Sequence, residues 1–142
     1  MSVRQFVIAY VAAALVLLAL DAVWLASMAE RLYRAQIGHL MADRFALVPA
    51  IGFYVLYIAG VVAFAVAPAV VARRWPLALV KGAFLGLIAY ATYDLTNQAT
   101  LRDWPWRLTL VDLGWGTFLT AVAALAGYGA AAASPLSPPS DA

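Results

Sequence analysis

Three aspartates lie inside segments that are apolar enough to cross a membrane. They are Asp21, Asp94 and Asp112. An aspartate near the centre of a membrane helix costs about 2.5 to 3.5 kcal/mol, and such residues commonly bind protons, ions or substrates. A carboxyl group in that setting can also act as a general acid or base. These three residues are therefore the first candidates for a functional site.

Two of the acids are followed by a tryptophan at helical spacing. Trp24 comes three residues after Asp21, and Trp115 comes three residues after Asp112. Residues three apart share a helix face, so each acid has an indole N–H donor beside it. The alternative interpretation is an aromatic belt at the membrane surface with incidental acids.

The third acid belongs to a stripe of small and polar residues that recurs every fourth position. The stripe consists of Gly82, Gly86, Tyr90 and Asp94, with Asn97 close to it. Gly82 and Gly86 form a GxxxG pair, which lets another helix approach closely. Asp94 lies on that same packing face, so we expect it to be protonated, paired with a cation such as Arg102, or bound to a ligand.

Some of these residues have a structural interpretation as well. Thr109 to Asp112 reads as a variant capping box, in which both side chains satisfy backbone N–H groups at a helix start. Asn97 could instead end a helix, because asparagine tolerates the left-handed conformation common there. His39 is either a solvated surface residue or a metal ligand or proton shuttle.

The candidate binding residues are Asp21, Trp24, Tyr90, Asp94, Asn97, Asp112 and Trp115, with His39 and Arg102 as secondary candidates and Gly82 and Gly86 as helix-packing residues. Phosphate-binding loops, nucleophile elbows and zinc motifs are absent from the sequence. Three carboxylates could hold a hard divalent cation, but without His or further acids they would make a poor zinc site. We predict no metal site and no cofactor. With no cysteine in the chain, thiol chemistry is also excluded.

The composition predicts an integral membrane protein. Hydrophobic residues make up 66% of the 142 residues, charged residues 11%, and the mean hydropathy is +0.90. Soluble domains are about 45 to 50% apolar and about 25% charged. The nine Lys and Arg residues are too few and too scattered for nucleic-acid binding, and we expect them to set the orientation in the membrane.

Hydropathy predicts four membrane spans, at about residues 6–28, 49–72, 77–101 and 109–131. A cleaved signal peptide is the alternative for the first span, but its apolar run is long and contains Asp21. Residues 29–44 have apolar positions at helical spacing among charges, which predicts a short amphipathic helix at the interface. We expect a bend near Pro68 in the second span.

The fold class that follows is an all-α membrane protein with four spans in a compact bundle. We expect one domain over residues 1–131 and a disordered Pro- and Ser-rich tail over residues 132–142. We also expect the third span to be central. Four crossings place the end of span 1, the end of span 3 and the start of span 4 on one side. That topology puts the three aspartates in one leaflet, where we expect them to share a polar pocket.

Several motifs give the chain a resemblance to a known family. They include Leu20-Asp21, Phe53-Tyr54, the stretch from Tyr90 to Asn97, Trp104-Pro105 and Trp115-Gly116-Thr117. With these residues the chain resembles domain of unknown function family 2177, a family of small bacterial membrane proteins. The resemblance covers nearly the whole chain except the tail. It implies four helices in a bacterial inner membrane and no established activity.

Three functions fit these observations. The first is a binding or transport module, alone or as a homodimer, that holds a proton, a cation or a polar head group at the acid cluster. The second is a membrane enzyme that acts on a lipid or isoprenoid by carboxylate acid and base chemistry. The third is a structural or assembly subunit. The expected partners are the lipid bilayer and a lipid or small polar ligand, with both termini in the cytoplasm.

Overall fold

Four long helices make up most of the chain. The computed structural model describes residues 1–134, and the predicted tail lies almost entirely outside them. The helices are α1 (Val3–Met28), α2 (Leu47–Ala72), α3 (Trp75–Thr100) and α4 (Trp106–Ala133). All four are long and apolar enough to cross a membrane, and the described residues contain no strand. The all-α, four-span prediction is confirmed.

The helices begin at residues suited to a first turn, somewhat earlier than hydropathy predicts. At the start of α1, Ser2 and Gln5 form a reciprocal capping box. In α3, Pro76 occupies the first turn, where its missing N–H has no helical partner to lose. Residue Pro105 directly precedes α4, so that helix starts at Trp106 and not at Thr109.

The predicted interfacial helix is continuous with α1. A π-helical segment (Ala29–Arg34) follows α1 directly, and an α-turn (Ala35–Ile37) and a 3-10 turn (Gly38–Leu40) follow it. We call residues 29–40 the connector. Its Leu32 and Ile37 are buried in a small cluster with Trp104 and Leu108. The connector therefore packs against the start of α4 through its apolar side.

Helix α2 contains the irregularity expected near Pro68. A π-helical segment (Val62–Val66) interrupts the helix just before that proline. Proline cannot donate to the carbonyl four residues earlier, which here belongs to Phe64 inside the π segment. The backbone thus accommodates the missing hydrogen bond locally.

The centre of the bundle is α4, which packs on both α3 and α1. The most apolar window of α4 is 50% buried, against 17% for that of α3. The expectation that the third span is central is therefore wrong. The physical reason lies in composition, because the many Gly and Ala residues of α4 allow neighbours to approach on several sides.

Helices α3 and α4 make backbone-to-backbone contact through their small residues. A Cβ added at Gly82 would lie 2.7 Å from the Cβ of Ala124, and one added at Gly86 would collide with the Gly116 carbonyl. Ala78 is also fully buried on this face. Ala78 is four residues before Gly82, so it lies on the same stripe and is not a position outside it.

Candidate functional site

Asp21 is held by donors from two other helices. The Tyr54 hydroxyl of α2 donates to Oδ2 of Asp21, and the Trp115 indole of α4 makes a longer contact to Oδ1 at 3.4 Å. The side chain is buried, with 8% of the residue exposed. Asp21 therefore joins α1, α2 and α4 at one point.

Asp112 is held by a tyrosine from the connector. The Tyr33 hydroxyl donates to Oδ1 of Asp112 at 2.6 Å, and it accepts a hydrogen bond from the Trp24 indole at 2.9 Å. Both roles of the hydroxyl are thus used. The result is a relay from Trp24 through Tyr33 to Asp112, which ties α1 and the connector to α4.

The two tryptophans connect these acid sites. Trp24 and Trp115 stack with ring centroids 4.3 Å apart and an interplanar angle of 8°. The sequence had paired each acid with the tryptophan three residues further along its own helix. In the structure, the Trp115 indole of α4 donates to Asp21 of α1. The Trp24 indole of α1 reaches Asp112 indirectly, through the hydroxyl of Tyr33.

Asp94 is different from the other two acids. It is 0% exposed, and neither carboxyl oxygen has a hydrogen-bond partner among the residues that the structure describes. The expected pair with Arg102 is not formed, because that arginine lies exposed in the loop between α3 and α4. Asp112 is the acid within electrostatic range of Asp94.

The remaining candidates divide into those near the acids and those apart from them. Tyr90 packs its ring on Gly116 and is within electrostatic range of Asp21 and Asp112. Asn97 is partly buried in the last turn of α3, and its carbonyl accepts the N–H of Leu101. His39 is exposed at the end of the connector.

Two structural interpretations from the sequence are wrong. Asp112 does not cap α4, because the helix already begins at Trp106. Thr109, its supposed capping partner, instead accepts from the Trp104 indole and donates to Gln98. Asn97 does not end α3 in a left-handed conformation, since the helix continues to Thr100.

The two tyrosines that hold the acids, Tyr33 and Tyr54, were not among the candidate site residues predicted from the sequence. Tyr33 is one of the apolar positions in residues 29–44, whose pattern predicted only an amphipathic helix. The sequence contains only a weak indication of Tyr54, because Tyr57 comes three residues later and places a second tyrosine on the same helix face. Tyr57 hydrogen-bonds Thr120 of α4 at 2.7 Å.

The comparison with protein families agrees with this architecture. The model of the DUF2177 family, described as a predicted membrane protein, matches residues 6–129. The chain belongs to the DUF2177 family. No curated protein and no solved structure matches the chain. The matched range includes all three aspartates and the aromatic residues that hold two of them.

Asp21 and Asp112 of this DUF2177 protein are linked through the stacked Trp24 and Trp115, and a pocket shared by all three acids stays a prediction. Within residues 1–134, no group of three Asp, Glu, His or Cys side chains is arranged to hold a metal ion. A groove of about 310 Å³ lies beside the cluster and is lined by Phe53, Ala89, Tyr90 and Tyr93. Phe53 packs on Tyr54 with ring centroids 5.5 Å apart, so the groove adjoins the Asp21 site.

Replacement of Tyr33 by phenylalanine should destabilise this DUF2177 protein. The change leaves the buried Asp112 without its donor and the Trp24 indole without its acceptor. Leaving buried polar groups unsatisfied costs about 1–3 kcal/mol. Thermal unfolding in detergent should therefore show a lower melting temperature. Tyr93→Phe is the matched control, because Tyr93 is exposed and its ring contact with Trp104 survives. Equal melting temperatures for the two variants would contradict the relay.

Proposed function

We propose that this protein is a proton-binding module of the membrane, used for transport or for coupled binding, with Asp94 as the proton site. The observation that carries the proposal is the isolation of Asp94. Its carboxyl group is fully buried, and both oxygens are unpartnered in the described part of the chain. Its two neighbouring acids, in contrast, accept hydrogen bonds from aromatic side chains.

A charged group is costly in an apolar interior, and that cost favours a proton as the ligand of Asp94. An ionised carboxylate without a donor or counter-ion is strongly unfavourable there, and binding a proton removes the charge. Asp94 can therefore lower the cost of its burial by binding a proton, whereas Asp21 and Asp112 accept hydrogen bonds from aromatic donors.

A proton is favoured over a divalent cation as the ligand. Hard cations such as Ca²⁺ take six to eight oxygen ligands, and Mg²⁺ prefers six. The described acids do not approach one another closely enough to form such a set. Two of them are also already engaged by Tyr33, Tyr54 and Trp115.

The direct test is proton flux through reconstituted protein. Liposomes that contain the protein and a trapped pH-sensitive dye are given a pH gradient, with valinomycin and K⁺ to compensate charge. We expect a faster change of internal pH than in protein-free liposomes. A rate equal to that of empty liposomes, measured with and without an added membrane potential, would contradict the transport role.

A membrane enzyme that acts on a lipid or isoprenoid is the second candidate function. The observation that favours it is the groove lined by Phe53, Ala89, Tyr90 and Tyr93, which could hold an apolar chain next to Asp21 and Tyr54. Mass spectrometry of protein extracted in mild detergent provides the test. Retention of a single lipid or isoprenoid species, lost in Tyr90→Ala, would favour the enzyme over the proton module.

We further propose that the protein lies in the inner membrane of a bacterium with both termini in the cytoplasm. On that side Arg4, Arg73, Arg74 and Lys81 are not offset by acids within residues 1–134, whereas the basic residues of the other side have acidic neighbours. Lys and Arg are enriched in cytoplasmic segments, and their simple count is close here, with four on this side against five on the other, so the proposal depends on the acid-free cluster of Arg73, Arg74 and Lys81. A reporter fused to the C-terminus should be active in the cytoplasm, and a periplasmic signal would reverse the assignment.

A further inference from the structure

A second cavity lies at the opposite end of the bundle from the three aspartates. It has a volume of about 520 Å³, and its walls come from the start of α1, the end of α2 and the end of α4. The lining residues that matter are Gln5, Val70, Val71, Arg73, Tyr128 and Ser134. This cavity plays no part in the proposed proton site.

The end of the bundle around this cavity is positively charged. Arg4, Arg73, Arg74 and Lys81 are all exposed there. Every acidic residue in the part of the chain that the structure describes belongs to the other half of the bundle or its loops. A negatively charged group is therefore attracted to this end without opposition from nearby carboxylates.

The cavity combines hydrogen-bond donors with an apolar wall. Gln5 is only 5% exposed, and one of its side-chain N–H groups makes a long 3.4 Å contact with the Ala131 carbonyl. The Ser134 hydroxyl oxygen is buried and has no partner within residues 1–134. Tyr128 also lines the cavity and carries a hydroxyl group that can donate. Val70 and Val71 form the apolar side, and Val71 is 70% exposed.

Arg73 has an unusual backbone conformation at the end of α2. Its φ of 53° and ψ of 41° are left-handed, a conformation that usually selects glycine at a helix end. An arginine in this position is less favourable for the backbone than glycine would be. Arg73 lines the cavity, where its side chain offers a positive charge that glycine lacks.

We propose that this cavity binds the phosphate group of an anionic phospholipid, with the lipid chains along Val70 and Val71. Arg73 supplies the charge, and Gln5, Tyr128 and Ser134 supply donors for the phosphate oxygens. Basic pockets between membrane helices are suited to acidic lipid head groups. The apolar wall favours a lipid over free phosphate, which has no chain to place against the valines.

The test compares lipids that differ only in head-group charge. Purified protein in micelles is titrated with phosphatidylglycerol or with phosphatidylcholine of the same acyl chains, and native mass spectrometry counts the retained lipid. We expect preferential retention of phosphatidylglycerol. Arg73→Gly should weaken that retention about fivefold, which corresponds to the loss of one basic contact. The turn should persist in this variant, because glycine readily adopts the left-handed conformation.

Arg44→Gly is the matched control, because it removes an exposed arginine from the other side of the bundle. Its retention of phosphatidylglycerol should equal that of the unmodified protein. Tyr128→Phe is a second cavity variant and should weaken retention several-fold even if Arg73→Gly changes the turn. Equal retention of the two lipids, or equal loss in Arg73→Gly and Arg44→Gly, would overturn the proposal. Displacement of the lipid by an equal concentration of inorganic phosphate would assign the cavity to free phosphate and overturn the lipid assignment.

Discussion

Replacement of Gly86 by leucine should prevent α3 from packing against α4. An added Cβ would collide with the carbonyl of Gly116 and would lie 2.6 Å from Oγ1 of Thr120. Both obstacles belong to or lie close to the α4 backbone, so no flexible side chain can move aside. Overpacking typically costs 1–3 kcal/mol and occasionally more, and we expect about 3 kcal/mol or more here. The melting temperature in detergent should fall sharply.

A second effect of the Gly86 substitution is loss of a hydrogen bond. A shift of Thr120 away from α3 should disturb its contact with Tyr57 of α2. Gly86→Ala should already be destabilising, because its single methyl group occupies the forbidden position. The matched control is Gly114→Leu, since Gly114 is exposed on α4 and has no atom near an added Cβ. If Gly86→Leu melted like Gly114→Leu, the close packing of α3 on α4 would be wrong.

Replacement of Asp94 by asparagine should abolish proton flux and leave the fold intact. Asparagine keeps the size of the side chain but cannot bind and release a proton. The change also removes a group whose ionised form is costly in the apolar interior. We therefore expect flux in the liposome assay to fall to that of empty liposomes, with a melting temperature equal to or above that of the unmodified protein.

The control for Asp94→Asn is Asp43→Asn, which makes the same chemical change at an exposed position outside the helices. Flux should be unchanged in that variant. A purely structural role for Asp94 predicts a different pattern, in which the melting temperature falls while the folded protein still conducts protons. Full flux in Asp94→Asn, measured per folded protein, would show that another group carries the proton.

Much of the fold follows from local properties of the chain. Long apolar runs with few charges must satisfy their backbone groups as helices in a membrane, which is why four spans could be predicted from hydropathy. The number of crossings then places the ends of α1 and α3 on the same side as the start of α4. The sequence and the period of a helix are enough to predict that the acids lie in that half. They also predict that Asp94 shares a stripe with Gly82 and Gly86.

The candidate site itself depends on contacts between helices. The sequence alone indicated that Trp24 and Trp115 lie near the two acids. It did not indicate that each tryptophan is hydrogen-bonded, directly or through a tyrosine, to the acid of the other helix. That exchange requires the connector to bring Tyr33 to Asp112, and α2 to bring Tyr54 to Asp21. Helical periodicity specifies which residues share a face, but it contains no information about which helix that face meets.

The sequence by itself determined the class of protein, the four spans and the half of the bundle in which its acids lie. Only the tertiary structure decided that α4 is central, and that Asp94 alone among the three acids has no hydrogen-bond partner among the described residues. The reason is that hydropathy reflects the free energy of transferring one segment into lipid, and it depends only on the residues of that segment. Partner choice inside the membrane depends instead on close packing of small residues and on hydrogen bonds between segments far apart in the chain.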